Sequence, residues 1–528
     1  MIIRGGRVLD GSGAPSFRAD VGIAEGRVVE MGALGGRAAA RTIDADGLFV
    51  CPGFIDMHIH SDVQLLANPE HDCKVRQGVT LDVIGQDGLG YAPATTEVMN
   101  QLRRQLAGWN DDPPGFDWSF RSVDEYLARF DGRAAVNVAY LVPHGTLRMI
   151  AVGMDDRPAT LPELERMKHL VAEGMQQGAV GISSGLTYVP GMFASDDELV
   201  ELCKVVRPYG GYYCPHHRNY GPRALEAYAD CIDVASRARV PLHLAHAHLS
   251  FECNRSRAGE LLAMIDAARA GGTDVTFDAY PYVVAATYLH AVLPSWASEG
   301  GLTRTLERLT HLDQRERLAA ELERTGSDGF HGLTVDWQHI VISGVRRDEN
   351  RRFVGLSVQD AARMNGQRPV DFVCDLLVAE ELGVSALLHI GIEENVRAML
   401  SHPAQTGGSD GILVGDRPHP RGWGAFARYF AVYVRELGIV GWEEMVRRLT
   451  SQAAARLGLP DRGLLRSGMA ADVACFDPAS IRDTATYENP RSYPEGVPYV
   501  LVNGAIVIDG GRHTGALPGR ALRRGSRA

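Results

Sequence analysis

The chain has 528 residues, 45% of them apolar and 23% charged, an ordinary globular balance that can bury a large core as one big domain with attachments or as a few smaller ones. A formal net charge of -11 gives no electrostatic reason to expect nucleic acid or an anionic membrane as partner. No stretch has the apolar length of a membrane span, the start shows no basic segment followed by an apolar run, and the eight cysteines form no CxxC pairs, so a reducing, cytoplasmic setting is expected.

In chain order, residues 1–50 read as short strands with glycine turns, such as the Glu25-Gly26 turn before Arg27-Val28-Val29. The C-terminal end reads the same way, with a turn at Asn503-Gly504 inside a strand-like run. Either end alone is too small for a good core, so 1–50 and 465–528 are expected to pair into one small β-sandwich. The last residues, 520–528, are basic and are expected to fray.

Between the ends, strands and helices alternate. Strands are expected at 54–60, 80–85, 136–142, 179–184, 212–216, 242–246 and 274–278, with a last one ending near Asp410. Helical periodicity falls between them, for example over 161–177, 195–206 and 258–270. Eight strands in strand-helix order point to an α/β fold, a closed (β/α)8 TIM barrel over 51–464. One interval breaks the rhythm. From His216 to His246 is 30 residues and from His246 to Asp278 is 32, but from Asp278 to Asp410 is 132. The surplus predicts an inserted subdomain after strand 7, placed at 286–350 and able to serve as a lid, with a helical stretch at 304–324 and a strand at 339–343.

Active sites of such barrels sit at the C-terminal strand ends. Those ends carry His58 and His60, Asp87, His144, Tyr188, His216, His246, Asp278 with Tyr280, and Asp410. For His58-Ile59-His60 alone, two hydrogen-bonded histidines near a surface turn are the commoner explanation. Five histidines and several aspartates at eight strand ends are hard to explain as packing, because buried charges are costly unless paired or metal-bound. The pattern points to metal-assisted hydrolysis.

Several segments carry a resemblance: Pro52-Gly53-Phe54-Ile55-Asp56-Met57-His58-Ile59-His60, the run from Gly178 to Tyr188, Asp278-Ala279-Tyr280-Pro281-Tyr282, Gly408-Ser409-Asp410-Gly411, and His419-Pro420-Arg421. With them the chain resembles, nearly end to end, the D-aminoacylases (N-acyl-D-amino-acid deacylases) of the amidohydrolase superfamily. The resemblance implies hydrolysis of a small-molecule N-acyl-D-amino acid by metal-activated water, with Asp410 as general base and acid. It implies one or two divalent ions, zinc first, with His216 and His246 on the tighter position and His58, His60 and Asp410 around a second. Asp87 stands where the family often has a metal-binding cysteine. A carboxylate is a harder ligand than a thiolate and can bridge two ions, so manganese or cobalt becomes possible. Arg421 suits bidentate capture of an α-carboxylate. The resemblance gives Tyr188 and Tyr280 substrate contacts, positions that suit wall tyrosines nearly as well. It puts alanine, Ala286, where relatives often have serine, with Thr287 beside it. Cys214 is expected to be a buried structural thiol, and His217 and His248 to flank the ligands. A cyclic-amide hydrolase of hydantoinase or dihydroorotase type is the alternative, but its lysine at the end of the fourth strand is missing from Ile182-Ser183-Ser184-Gly185. A non-catalytic barrel is a second alternative, and such a protein would be expected to have lost its ligands.

Overall fold

A computed structural model describes residues 1–524. Its centre is one sheet of eight parallel strands: Phe54–Asp56, Val79–Ile84, Asn137–Pro143, Gly181–Gly185, Tyr212–His216, Leu242–Leu244, Val275–Asp278 and Gln405–Thr406. The first and last strands join through backbone hydrogen bonds, Met57 N to Gly407 O at 2.9 Å and Asp410 N to His58 O at 2.7 Å, which close the sheet into a barrel. The first strand is shorter than the expected 54–60. It ends at Asp56 because residues 57–60 turn their hydrogen bonds to the Gly407–Gly411 loop. The sheet is buried on both faces, as a parallel sheet must be, and helices such as Leu161–Gln176, Asp196–Val206 and Ala258–Ala270 cover its outside.

Both ends of the chain build the sandwich. A four-stranded sheet contains Ile2–Arg4 and Asp20–Ala24, and a seven-stranded sheet sets Phe49–Pro52 and Arg7–Val8 beside C-terminal strands Val473–Phe476 and Tyr499–Val502. Val8, Val21, Val50, Val473 and Leu501 fill the space between the sheets. Phe49–Pro52 leads directly into the first barrel strand, so the sandwich is anchored beside the His58 segment.

After the seventh strand the chain leaves the barrel and builds a body with its own core, from Leu289 to Leu388. Its sheet pairs Ala285–Tyr288 and Ile340–Gly344 antiparallel to Ser385–Leu388. The body therefore extends past the expected end at 350, because the strand between the other two comes from Ser385–Leu388. The helical stretch expected at 304–324 is broken at His311, whose extended backbone ends Leu302–Thr310 and opens Leu312–Ala320. The tail also differs from expectation. Leu522 N donates to Val138 O at 2.7 Å, and the Arg524 guanidinium donates to Tyr209 O and Leu457 O. Residues 520–524 are thus bound to the barrel rather than frayed, and the rest of the tail lies outside the described residues.

Candidate metal centre

His58, His60, Asp87 and Asp410 form one group of donors, and Asp87, His216 and His246 form a second that shares Asp87. His58 and His60 lie just past the first strand, Asp87, His216, His246 and Asp410 each lie at or past the end of another, and all are buried. His58 Nε2 lies 3.5 Å from Asp87 Oδ1 and 3.7 Å from Asp410 Oδ1, and His60 Nε2 lies 3.5 Å from Asp87 Oδ2 and 3.3 Å from Asp410 Oδ1. On the other side, His216 Nδ1 and His246 Nε2 each come within 3.4 Å of an Asp87 oxygen and within 3.0 Å of each other.

These spacings have a chemical meaning. Four ligands held tetrahedrally at ~2.1 Å from one ion stand about 3.4 Å apart. A hydrogen-bonded histidine and carboxylate sit closer, near ~2.8 Å. His58 Nε2, the nitrogen that faces Asp87 and Asp410, and Asp87 Oδ1 are buried with no hydrogen-bond partner, while His58 Nδ1 is turned toward Asp278 at 3.6 Å. Orphaned polar atoms in a native core call for an explanation, and a cation with these donors around it supplies one. The residues present therefore fit a divalent metal, with Asp87 placed to serve both donor groups. Burial alone would raise the Asp87 carboxyl, but His58, His246 and His216 hold it well below the usual carboxylate range. The same opposition, with Arg421 as the main counter-charge, keeps Asp410 ionised.

Backbone strain marks the same residues. Asp87, His246 and Asp410 have φ of 54°, 28° and 50°, a left-handed region that non-glycine residues enter at a cost. Glycines make room for them. A Cβ on Gly185 would stand 1.9 Å from Asp87 O, and one on Gly408 would stand 2.5 Å from Asp278 Oδ1. Below the donors, Asp278 accepts from His246 N at 3.0 Å and lies 3.2 Å from His243 Nε2. Asp56 does not share the mouth with His58 and His60. It pairs with the buried Lys74 at 2.6 Å and accepts from Ser409 N and Oγ, fixing the residue before Asp410.

Sequence reasoning missed two contacts to ligand histidines, from Tyr220 and Thr187. Tyr220 OH is 2.9 Å from His246 Nδ1 and Thr187 Oγ1 is 2.7 Å from His216 Nε2. Such partners fix which ring nitrogen is free to bind a metal. Thr187 lies inside the quoted Gly178–Tyr188 run, whereas Tyr220 lies on a loop with no readable pattern. His144, grouped with the strand-end residues, is not part of the cluster. Its Nε2 meets Glu198 Oε1 at 2.8 Å, and the other Glu198 oxygen pairs with Arg148. Cys214 is buried and donates to Gln86 Oε1, and burial pushes its thiol well up. His217 is buried against the Tyr220 and Tyr228 rings, and His248 lies on the Tyr280 ring at 4.1 Å.

The donors open into a cleft of about 730 Å³, counting its open mouth. Tyr188 and Tyr280 line it on the barrel side, and Phe330, His331, Leu388 and Ile390 line it from the inserted body. Among the described residues, no lysine or arginine is part of the lining. Arg421 lies behind it, fully buried, with Nη1 2.9 Å from Asp410 Oδ2, Nη2 donating to Ala286 O, and its plane 4.5 Å from the Tyr280 ring centre. Its Nε has no partner. Thr287 Oγ1 stands 3.3 Å from Tyr188 OH, so the hydroxyl near Ala286 is turned to that tyrosine.

Residues 41–508 match the amidohydrolase family. The chain is 33% identical to D-aminoacylase of Alcaligenes xylosoxydans xylosoxydans, over 99% of this chain and 97% of that one. It is also 33% identical to N-acyl-D-aspartate deacylase of the same organism, over 99% and 95%. A crystal structure of N-acyl-D-glutamate deacylase from Bordetella bronchiseptica, complexed with zinc and a phosphonate mimic of the tetrahedral intermediate, superposes with a TM-score of 0.83 at 30% identity, covering 99% of both chains.

Proposed function

The chain belongs to the amidohydrolase family, and we propose that it hydrolyses the amide bond of N-acyl-D-amino acids, releasing a carboxylate and a free D-amino acid with the help of one or two divalent ions. The observation that carries this reading is the spacing of the His and Asp donors around Asp87, wider than hydrogen bonds and right for ligands. His216, His246 and Asp87 would hold one ion, zinc in the first instance, and His58, His60 and Asp410 would contribute to a second position. Manganese or cobalt suits the carboxylate-rich set as well. A divalent ion supplies Lewis acidity there, acidifying water and polarising the scissile carbonyl.

The protein's own groups do the rest. Asp410 stays ionised, so Oδ1, on the His60 side, accepts the proton of the attacking water and passes it to the departing amine nitrogen. Oδ2 stays on Arg421, which fixes the carboxylate's orientation. The Tyr280 hydroxyl takes the substrate α-carboxylate, with the buried Arg421 guanidinium behind its ring as the counter-charge, while Tyr188 places the acyl half. The side chain then meets Phe330, Leu388 and Ile390 of the inserted body, which acts as a cover. Among the described residues the cleft lining carries no lysine or arginine, which favours neutral apolar D-side chains over D-aspartate or D-glutamate. The free thiols and acidic surface fit a cytoplasmic protein acting on a small molecule, without nucleic acid or membrane.

The fourth strand, Gly181–Gly185, ends without a lysine. Ser183 is spent on Gly85 O and Ser184 on Tyr213, which leaves the cyclic-amide alternative without its bridging group. A complete donor cluster argues equally against a non-catalytic barrel. The test is a panel of N-acetyl-D- and L-amino acids with protein loaded in turn with zinc, manganese and cobalt. Turnover of D-Leu, D-Met or D-Phe derivatives well above their L-enantiomers, lost on chelation, is expected. Absence of turnover on every D-substrate under all three metals overturns the reading.

A further inference from the structure

Away from the metal cluster, one further group of nucleophilic and titratable side chains takes no part in the proposed reaction. Cys73 lines a separate surface cleft of about 1050 Å³, counting open solvent, together with His71, Leu413, Trp423 and Arg491. Its Sγ is 3.9 Å from His71 Nδ1. His71 Nε2 is 2.8 Å from Asp82 Oδ2, and Ser61 Oγ donates to the same oxygen at 2.8 Å. His71, Asp82 and Cys73 are all buried, Cys73 retaining 9% exposure beside the cleft it lines. The line Asp82–His71–Cys73 has the parts of an activated nucleophile: a thiol, a base within reach, and a carboxylate that orients the base and stabilises its cation.

The other cysteines serve as internal controls. Cys51, Cys203, Cys214, Cys231, Cys374 and Cys475 are buried, and burial pushes each thiol up. Cys253 is exposed, but no imidazole is hydrogen-bonded to it among the described residues. Burial alone would lower the basicity of His71, yet the facing Cys73 and Asp82 raise it to about 10, as expected of a ring poised to hold a proton.

We propose that Cys73 is a peroxide-reactive thiol, primed by His71 and Asp82, that small hydroperoxides oxidise to a sulfenic acid. The thiol proton moves to His71 Nδ1. The thiolate attacks one peroxide oxygen, the O–O bond breaks as the S–O bond forms, and the departing hydroxide takes the proton back from His71 as water. Sulfur is oxidised by two electrons and the peroxide is reduced by two. A sulfur this little exposed admits a small reagent more readily than a bulky disulfide, which is why the hydroperoxide is the oxidant.

The experiment treats the full-length, metal-loaded protein with hydrogen peroxide, denatures it in dimedone and quantifies labelled peptides by mass spectrometry. Cys73 should label at least tenfold faster than the more exposed Cys253, and His71→Gln should bring it down to the Cys253 rate with metal content unchanged. Equal labelling of the two cysteines, or a His71→Gln protein that labels like wild type, overturns the proposal. Should His71→Gln fail to fold, the wild-type comparison decides alone, and a Cys73 that labels no faster than Cys253 overturns the proposal.

Discussion

Buried histidine and carboxylate meet in two ways in this protein, and the distance between them separates two chemistries. On the barrel's flanks, His71–Asp82 and His144–Glu198 stand 2.8 Å apart as full hydrogen bonds. At the mouth, His58 and His60 stand 3.3–3.7 Å from Asp87 and Asp410, and His58 Nε2 lacks a hydrogen-bond partner. Residue types and burial are the same in both regions. A flank pair is joined by a direct hydrogen bond and can store or pass a proton, although Asp82 Oδ1 and His144 Nδ1 are left unpartnered, whereas at the mouth donors from several strand ends face one another at ligand spacing, which a cation completes. Backbone strain follows the same division, with left-handed φ at Asp87, His246 and Asp410.

The hardest test of the contrast is Asp410→Asn. It removes the proton acceptor while keeping the residue's shape, so kcat/KM should fall about 10³-fold while the metal of the Asp87–His216–His246 position is retained, measured by hydrolysis rate alongside metal analysis. Near-normal rates would remove Asp410 from its role. A smaller effect tests the flank. His71 carries a proton more tightly folded, with its pKa raised to about 10, than unfolded near ~6.5. Its contribution to stability is therefore fully present below the unfolded value and lost as pH rises through the folded one. Wild type should exceed His71→Gln by about 2 kcal/mol at pH 6, and chemical denaturation should show the gap closing toward pH 10. A gap that widens with pH contradicts the assignment.

Much of the mouth was legible because strand ends announce themselves. Alternation in His58-Ile59-His60, and lone polar residues after apolar runs at Asp87, His216, His246 and Asp410, place these side chains at one end of a barrel. The same logic placed His144 with them, since a strand end says which end of the barrel a residue occupies but not whether Glu198, from a helix 54 residues on, already satisfies it. Tyr220 was out of reach for a related reason, as its contact with His246 depends on how a loop folds back. The inserted body was seen only in part. Its sheet closes through Ser385–Leu388, whose pairing with Ala285–Tyr288 spans about a hundred residues and leaves no local signal. The tail misled because a basic, polar segment reads as frayed, yet its backbone and Arg524 find carbonyl partners on the barrel.

The spacing around Asp87 is that of a metal site. That assignment is tested most directly by zinc content per chain, measured after identical loading and dialysis for wild type, Asp87→Ala and His144→Gln. Wild type and His144→Gln should retain at least one zinc per chain and Asp87→Ala less than about a tenth of that, since Asp87 belongs to both donor groups. A wild-type protein that keeps no metal, or an Asp87→Ala protein that keeps as much as wild type, would contradict it.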